Sequence, residues 1–312
     1  MNLWHIAGMD AAKAWPALPL KEWVQTYQTL HLWTQVVGKV RLTLSPMVNH
    51  WWNVSLYVSP RGLTTSKVPY GMEAFEIEFD FIAHRLEIRS STGQRESLEL
   101  RAESVAVFYE RVMGALRSMG FAVEINTKPQ ELPNPIFFEK DLQHASYDPE
   151  YAHRFWRILL ATDMVMNEFR ARFIGKCSPV QFFWGSFDLA CTRFSGRAAP
   201  PRKGIITSEA YSHEVISAGF WPGGGNVEAA FYAYAAPSPA GLAEQAVRPE
   251  AASWSKELSE FVLMYDDVRR AENPRTALLE FMQSTYEAGA KLANWDRTSL
   301  ERAPEAAAAK LS

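Results

Sequence analysis

A strict alternation of aromatic and acidic residues constrains the fold of this chain more than any other feature. Between residues 75 and 81 the sequence reads Phe-Glu-Ile-Glu-Phe-Asp-Phe, so apolar and acidic side chains occupy alternate positions. Successive side chains of a strand point to opposite faces, so such a segment buries one face and exposes the other. The pattern is typical of an antiparallel sheet with one solvated face. Strand patterns at 40–44, 52–59 and 86–89 predict its neighbours.

Helical periodicity predicts a layer of helices against these strands. Apolar residues recur at helical spacing over 20–37, with Gly38 as the predicted end, and a second amphipathic segment covers 104–119. Asp148 and Pro149 predict a third helix that runs to about residue 173. Further strands are predicted at 121–125, at 180–184 or onward to 194, at 213–221 and at 229–236, and further helices at 256–271 and 275–294. The predicted fold class is α+β, with antiparallel sheets covered by helices.

The two halves of the sequence resemble each other. When the helix at 20–37 is placed on 152–169, Trp52 falls on Trp184 and Arg61 falls on Arg193. We interpret this as two similar helix–strands–helix halves at residues 18–128 and 136–300, with flexible ends at 1–17 and 301–312. Coincidence is the alternative, because aromatic strands commonly follow helices. A duplication would favour a ligand site between the halves or in the second of them.

Composition excludes several classes of protein. Of the 312 residues, 47% are hydrophobic and 21% are charged, which is typical of a folded soluble chain. The net charge of −3 argues against nucleic-acid binding, and no apolar run approaches the ~20 residues of a membrane span. The two cysteines, Cys177 and Cys191, have no metal-binding spacing. They predict a reduced, cytoplasmic protein with inert thiols. Cofactor and oligomeric state stay open.

The run from Trp184 to Arg197 contains the strongest candidates for a functional site. It places Asp188 among apolar residues of a predicted strand, where an unpaired carboxylate would be costly. By alternation, Asp188 shares a face with Trp184, and His213 shares a face of the next strand with Trp221. We therefore predict that Asp188 and His213 are catalytic and transfer protons. The alternatives are a structural Arg–Asp pair and a hydrogen-bonded core histidine.

The remaining candidates are predicted to bind a ligand. Arginines would orient a polar or anionic group, and tryptophans would form a wall of the pocket. The expected site has no metal, because no recognised ligand spacing occurs. The predicted ligand-binding residues are Arg61, Arg193, Arg197, Trp52, Trp184, Trp221, His50 and Glu214.

Two functions remain open from these residues. The first is an enzyme that converts a small polar or anionic molecule in an aromatic- and arginine-lined pocket. The second is a non-catalytic protein that binds or senses such a molecule with the same pocket. An assembly protein without a cleft is a third alternative.

Several motifs resemble those of a bacterial family of proteins of unknown function. These are Ser178-Pro-Val-Gln-Phe-Phe-Trp-Gly-Ser-Phe-Asp-Leu-Ala, Thr192-Arg-Phe-Ser-Gly-Arg and Ala210-Tyr-Ser-His-Glu-Val, together with His50-Trp-Trp, residues 56–65 and Phe220-Trp-Pro-Gly. The resemblance covers about residues 15–240 and implies no activity, cofactor or catalytic residue. In the family pattern a histidine often stands where this chain has Gln181, so any role of that histidine would be lost or altered here.

Overall fold

Two antiparallel six-stranded sheets and a set of helices make up the α+β fold of this protein. The computed structural model describes residues 11–302, with side chains from Lys13 onward. The helices are α1 (Ala11–Ala14), α2 (Leu20–Leu44), α3 (Val105–Ser118), α4 (Pro149–Ala171), α5 (Ile205–Ala210), α6 (Tyr265–Arg270), α7 (Pro274–Leu292) and α8 (Arg297–Leu300). No helix of this part of the chain is long and apolar enough to cross a membrane.

The first sheet is built from residues 57–99. Its strands are β1 (Tyr57–Val58), β2 (Gly62–Thr64), β3 (Val68–Tyr70), β4 (Glu73–Asp80), β5 (Arg85–Ser90) and β6 (Arg95–Glu99). They lie in the order β1-β2-β4-β5-β6. Strand β3 lies on the same edge of β4 as β2: β3 pairs with the first residues of β4 and β2 pairs with the last. The alternation in β4 is confirmed, because Phe75, Ile77 and Phe79 are buried. The opposite face is not freely solvated, however, since Glu78 and Asp80 are also buried and form ion pairs with arginines.

The second sheet is built from residues 181–264. Its strands are β7 (Gln181–Phe183), β8 (Asp188–Ala198), β9 (His213–Trp221), β10 (Ala230–Ala236), β11 (Ser253–Ser255) and β12 (Glu260–Met264). They lie in the order β11-β12-β10-β9-β8-β7. A pair of backbone hydrogen bonds between Leu56 and Phe182 joins this sheet to the segment that leads into the first.

The structure corrects several predicted elements. Helix α2 continues through Gly38 to Leu44, so the predicted strand at 40–44 is wrong. Gly38 is not a helix stop: the indole of Trp184 lies where a Cβ would be, within 2.3 Å of its ideal position. Residues 121–125 form no strand. The segment 256–271 is not one helix but contains β12 and α6.

The predicted ends and halves of the chain are not confirmed by the structure. Trp15 is buried, and its ring centroid lies 6.3 Å from that of Tyr265. The rest of the predicted flexible ends, residues 1–10 and 303–312, lies outside the described residues. The internal duplication is not confirmed: Arg61 is exposed beside β1, whereas Arg193 is buried in β8. The boundaries at 18–128 and 136–300 stay a prediction, and side chains from both segments form one core.

Candidate functional site

Asp188 begins β8 on the partly open face of the second sheet, and its carboxylate is held by two hydroxyl groups. The Ser186 hydroxyl donates to Oδ1 and the Tyr232 hydroxyl donates to Oδ2. Only 7% of Asp188 is exposed. Burial raises the pKa of this carboxyl above its usual value, while the two hydroxyl donors act in the opposite direction. Asp188 therefore lies where its negative charge is disfavoured.

Tyr232 reaches Asp188 by crossing the neighbouring strand. Tyr232 of β10 pairs with Gly219 of β9, and Gly219 pairs with Ala190 of β8. A Cβ on Gly219 would lie 2.2 Å from the tyrosine ring and hydroxyl, so only glycine leaves room for this crossing. The ring of Tyr234 is stacked beside that of Tyr232, with centroids 6.2 Å apart. The result is a flat tyrosine surface next to the carboxylate.

Two more carboxyl groups lie close enough to Asp188 for its charge to affect them. Glu131 is exposed overall, but its carboxylate lies against Gly185, in the turn between β7 and β8. Burial raises its pKa, and the charge of Asp188 raises it further. The same two causes raise the pKa of Glu260, on β12, to about 7. These three residues are called the carboxylate cluster below.

Helix α2 contributes an aromatic wall to the cluster. Tyr27 is half-buried beside Trp221, and burial raises the pKa of its hydroxyl to about 12. His31 stacks on Tyr27 and donates from Nε2 to the carbonyl oxygen of Gly185, at 2.8 Å. Burial lowers the pKa of His31 to about 4, so its imidazole is neutral at physiological pH. The wall is therefore aromatic and adds no positive charge.

The carboxylate cluster has no basic partner among the described residues. None of the ion pairs between residues 13 and 302 includes Asp188, Glu131 or Glu260. In the same part of the chain, no three acidic, histidine or cysteine side chains are arranged to hold a metal ion. Among the described residues, the cluster thus combines carboxyl groups of raised pKa with aromatic rings and lacks both a counter-charge and a metal-binding geometry.

The predicted partnership of Asp188 with His213 is wrong. Asp188 does come next to Trp221, as the strand alternation predicts, because Leu189 pairs with Phe220. His213 lies at the other end of β9, eight positions along the strand from Trp221. At ~3.3 Å per residue this separation is about 26 Å, which is too long for direct proton transfer.

Arg193 is also absent from the cluster. The side chain of Arg193 points to the opposite face of β8 from that of Asp188. Its guanidinium lies in the core, where it donates to the carbonyl oxygen of Phe169. It is 1% exposed, and the rings of Phe169 and Tyr286 lie 3.4 and 4.2 Å from its guanidinium carbon. The expected carboxylate partner is therefore replaced by a carbonyl group and aromatic faces.

His50, Trp52 and His213 come together at the far end of the second sheet. The ring centroids of His50 and His213 are 5.6 Å apart, and Trp52 lies 5.6 Å from His50. Lys176 donates to Nε2 of His50 at 2.6 Å. Burial and then the charge of Lys176 lower the pKa of His50. These residues form a separate polar cluster that does not contact Asp188.

The other predicted ligand-binding residues are dispersed. Arg61 pairs with Asp80 at 2.5 Å on the first sheet. Arg197 pairs with Glu214 at 2.6 Å and also donates to carbonyl oxygens at the end of α7. Glu214 lines a cavity of about 170 Å³ beside Pro237. The indole of Trp184 is buried and donates to the carbonyl oxygen of Val54 at 2.7 Å.

Several residues of the carboxylate cluster and of its aromatic surroundings were not identified from the sequence. Tyr27 and His31 repeat at helical spacing, which reads as an ordinary core face. Glu131 lies in a proline-rich connector, and Glu260 lies in a segment predicted to be helical. Of these residues, only Tyr232 could have been placed from the sequence, because strand alternation puts its side chain on the face of β10 opposite to that of Phe231. The others join the site through contacts between distant parts of the chain.

The fold defines an α+β protein with two antiparallel sheets and an acidic, aromatic site on the second. The chain belongs to the family described as a family of unknown function, DUF5996, which it matches over residues 15–302. Comparison with curated proteins and with solved structures gives no match.

Proposed function

We propose that this protein binds a small polar organic molecule with a positive charge, such as a primary amine or a quaternary ammonium compound. The observation that carries this proposal is the carboxylate cluster itself. None of Asp188, Glu131 and Glu260 has a basic partner in the described chain, the pKa of each is raised, and the charge of Asp188 contributes to the rise at Glu131 and Glu260. A bound cation would relieve the cost of ionising them.

The aromatic surroundings support the same class of ligand. Tyr27, Trp221, Tyr232 and Tyr234 are all half-buried, so each retains some accessible surface. Aromatic faces attract ammonium groups, and a set of such faces with nearby carboxylates is the usual recognition surface for alkylated amines. A metal ion is a weaker alternative, because the described residues lack a metal-binding group of three ligands.

The contacts support a cation in place of the small polar or anionic ligand expected from the sequence. That expectation depended on Arg61, Arg193 and Arg197 as orienting groups. All three have other partners: a carboxylate for Arg61 and Arg197, and a carbonyl oxygen with aromatic rings for Arg193. An anion at the carboxylate cluster would meet only like charge.

Chemical conversion of the ligand is the second candidate function. Its support is the raised pKa of Asp188 together with the hydroxyls of Ser186 and Tyr232 on its two oxygens. A carboxyl group with a raised pKa is better suited to act as a general acid than an ordinary one. In that case Asp188→Asn would abolish turnover and retain binding, whereas for a binding protein it would abolish binding.

The proposal also includes the origin of the protein, its location in the cell and the class of partner that it lacks. A bacterial origin follows from the motif resemblance, and a cytoplasmic location from the two free cysteines. The absence of a nucleic-acid partner follows from the net charge of −3.

A thermal-shift experiment with matched small probes tests the proposal. Tetramethylammonium and n-butylammonium carry the charge, tert-butanol is a neutral probe of similar size, and acetate is an anion. We expect the two ammonium ions to raise the melting temperature in a saturable way at constant ionic strength, because a ligand that binds the folded state stabilises it. The neutral and anionic probes should have no such effect.

Two variants place the effect at the carboxylate cluster. Asp188→Asn should remove the ammonium-dependent shift. Glu214→Gln changes a carboxylate on the same sheet that is already paired with Arg197, so it should leave the shift unchanged. A shift of equal size with acetate, or one that Asp188→Asn does not alter, would contradict the proposed ligand class and its site.

A further inference from the structure

The only two cysteines of the chain lie side by side. Their Sγ atoms are 3.8 Å apart, and both thiols are free. The segment around Cys177 follows α4 and pairs with β8 so that Cys177 is opposite Arg193. Cys191 is two residues from Arg193 and so shares its face, which makes the cysteines diagonal neighbours. A disulfide needs an S–S distance of about 2.05 Å, so side-chain rotation and a small backbone shift would bring the sulfurs together.

The two thiols differ in accessibility. Cys177 is partly exposed, whereas Cys191 is fully buried in β8. Exchange reactions begin with a thiolate that a reagent can reach and end with attack by a second thiol on the mixed disulfide. The arrangement gives Cys177 the role of the attacking group and Cys191 the role of the resolving group.

A buried positive charge lies beside the pair. Arg193 has no carboxylate in ion-pair contact in the described chain, and its Nε has no hydrogen-bond partner. The ionisable groups whose charges act on its pKa are the two thiols, the Tyr286 hydroxyl and Glu301. Glu301 is already paired with Arg297 and accepts from Tyr286. A thiolate at Cys177 would therefore supply charge that Arg193 otherwise lacks.

A second arginine acts in the same direction. Arg170 of α4 donates from Nε to the carbonyl oxygen of Ser178 at 2.6 Å, which holds it next to the cysteine segment. The hydrogen bond from Cys191 and the charges of Arg193 and Arg170 lower the pKa of Cys177, against the effect of burial. Thiols beside arginines in partly exposed positions are the reactive ones in proteins.

We propose that Cys177 and Cys191 form a thiol–disulfide exchange site for a small-molecule disulfide. The Cys177 thiolate attacks one sulfur of that disulfide, its S–S bond breaks, and one thiol leaves with a proton. Cys191 then attacks Sγ of Cys177 and releases the second thiol with the other proton. The protein dithiol loses two electrons and the small disulfide gains them. This site is independent of the carboxylate cluster, which lies on the opposite face of the sheet.

Equilibration with glutathione and glutathione disulfide tests the exchange in the full-length protein. After an acid quench, free thiols are labelled by alkylation and counted by intact mass spectrometry. We expect both labelling sites to disappear together as the buffer becomes oxidising and to return on reduction. In Cys191→Ser, a glutathione adduct should accumulate on Cys177, whereas Cys177→Ser should gain far less adduct because Cys191 is buried.

Three results would overturn the proposal. One is a wild-type protein in which the glutathione adduct persists and no internal disulfide closes. Another is a disulfide that links two chains. The third is a pair of thiols that resist oxidation when native and react only in urea.

The role of Arg193 is measured in the Cys191→Ser background, where Cys177 is the only thiol. Arg193→Met keeps the side-chain volume and removes the charge. It should slow the alkylation of Cys177 at neutral pH by about tenfold, as expected for a rise of ~1 unit in its kinetic pKa. Arg170→Met is the second variant and should slow it less, and Arg172→Met, at the exposed residue that directly follows α4, is the control. Equal alkylation rates in all four proteins would contradict the role of the arginines.

Discussion

At the scale of single residues, Gly219 decides whether the site can form. It is the only residue between Tyr232 and the strand that carries Asp188, and the tyrosine lies directly over it. The sequence offers no sign of this, because Gly219 looks like any small residue in a strand. Its importance depends on which residue of β10 it faces, and that is fixed by strand register.

We predict that Gly219→Ala destabilises the protein by about 1–3 kcal/mol, because the new methyl group and the Tyr232 ring would overlap. Gly114→Ala is the matched control: it lies inside α3 with no atom within 4 Å of the new methyl group. It should instead stabilise the protein by roughly 0.5–1 kcal/mol, the usual gain on replacing a helix glycine. Urea denaturation measures both. Equal stabilities for the two variants would mean that Tyr232 does not cross Gly219.

Glu260 gives a prediction about pH. The pKa of Glu260 is raised from its ordinary value of 4.5 to about 7 in the folded protein, so the folded form binds this proton more tightly than the unfolded form does. This contribution to stability is fully present below pH 4.5 and is lost as the pH rises towards 7. Glu260→Gln mimics the protonated group, so it should be more stable than the wild type by roughly 1–2 kcal/mol above the folded pKa. The free energies of unfolding of the two proteins should become equal in acid.

The control for this experiment is Glu257→Gln, in the exposed turn just before β12. The stability of this variant should equal that of the wild type at every pH. A stability difference for Glu260→Gln that is the same in acid and in base would refute the account of the Glu260 carboxyl group.

At the scale of elements, β8 divides two environments between its faces. Asp188 belongs to the partly open face, and Arg193 ties the other face to the end of α4 through the carbonyl oxygen of Phe169. The sequence offers a structural Arg–Asp pair for Arg193 and does not identify the partners that it has in the structure. A carbonyl oxygen and two aromatic rings are supplied by helices far away along the chain, and local alternation contains no information about them.

We predict that Arg193→Ala costs about 2–4 kcal/mol, because it leaves a cavity among Phe169 and Tyr286. Arg193→Met should recover most of this loss, since a buried charge without a carboxylate contributes through packing more than through attraction. Arg202→Ala, in the exposed loop before α5, should cost little. Melting temperatures compare the three variants. A methionine variant as unstable as the alanine variant would assign the stability to the charge.

The helices and strands show where sequence patterns fail. The helix at 149–171 and the strands at 213–221 and 230–236 were predicted almost to the residue, because caps and alternation are local signals. The end of α2 was missed since Gly38 serves a tertiary contact with Trp184 and does not cap the helix. The segment 256–271 was missed because β12 pairs with the distant β10.

At the scale of the whole molecule, the site joins parts of the chain that the sequence keeps far apart. Tyr27 comes from α2, Glu131 from the connector after α3, and Tyr232 and Glu260 from two strands of the second sheet. The predicted pairing of two neighbouring strands was sufficient to place Asp188 beside Trp221. It was insufficient to find the rest of the site, whose residues come from α2, from the connector after α3 and from two other strands of the second sheet.

Proton release on binding of n-butylammonium tests the central claim most directly. The probe keeps its charge near neutral pH, with a pKa of about 10, so released protons must come from the protein. Calorimetric titration at about pH 6, in two buffers that differ in ionisation enthalpy, gives the number of protons released. We predict a net release in the wild type and in Glu214→Gln, and a smaller release with weaker binding in Asp188→Asn. Binding without proton release, or with proton uptake, would contradict the claim that these carboxyl groups receive a cation.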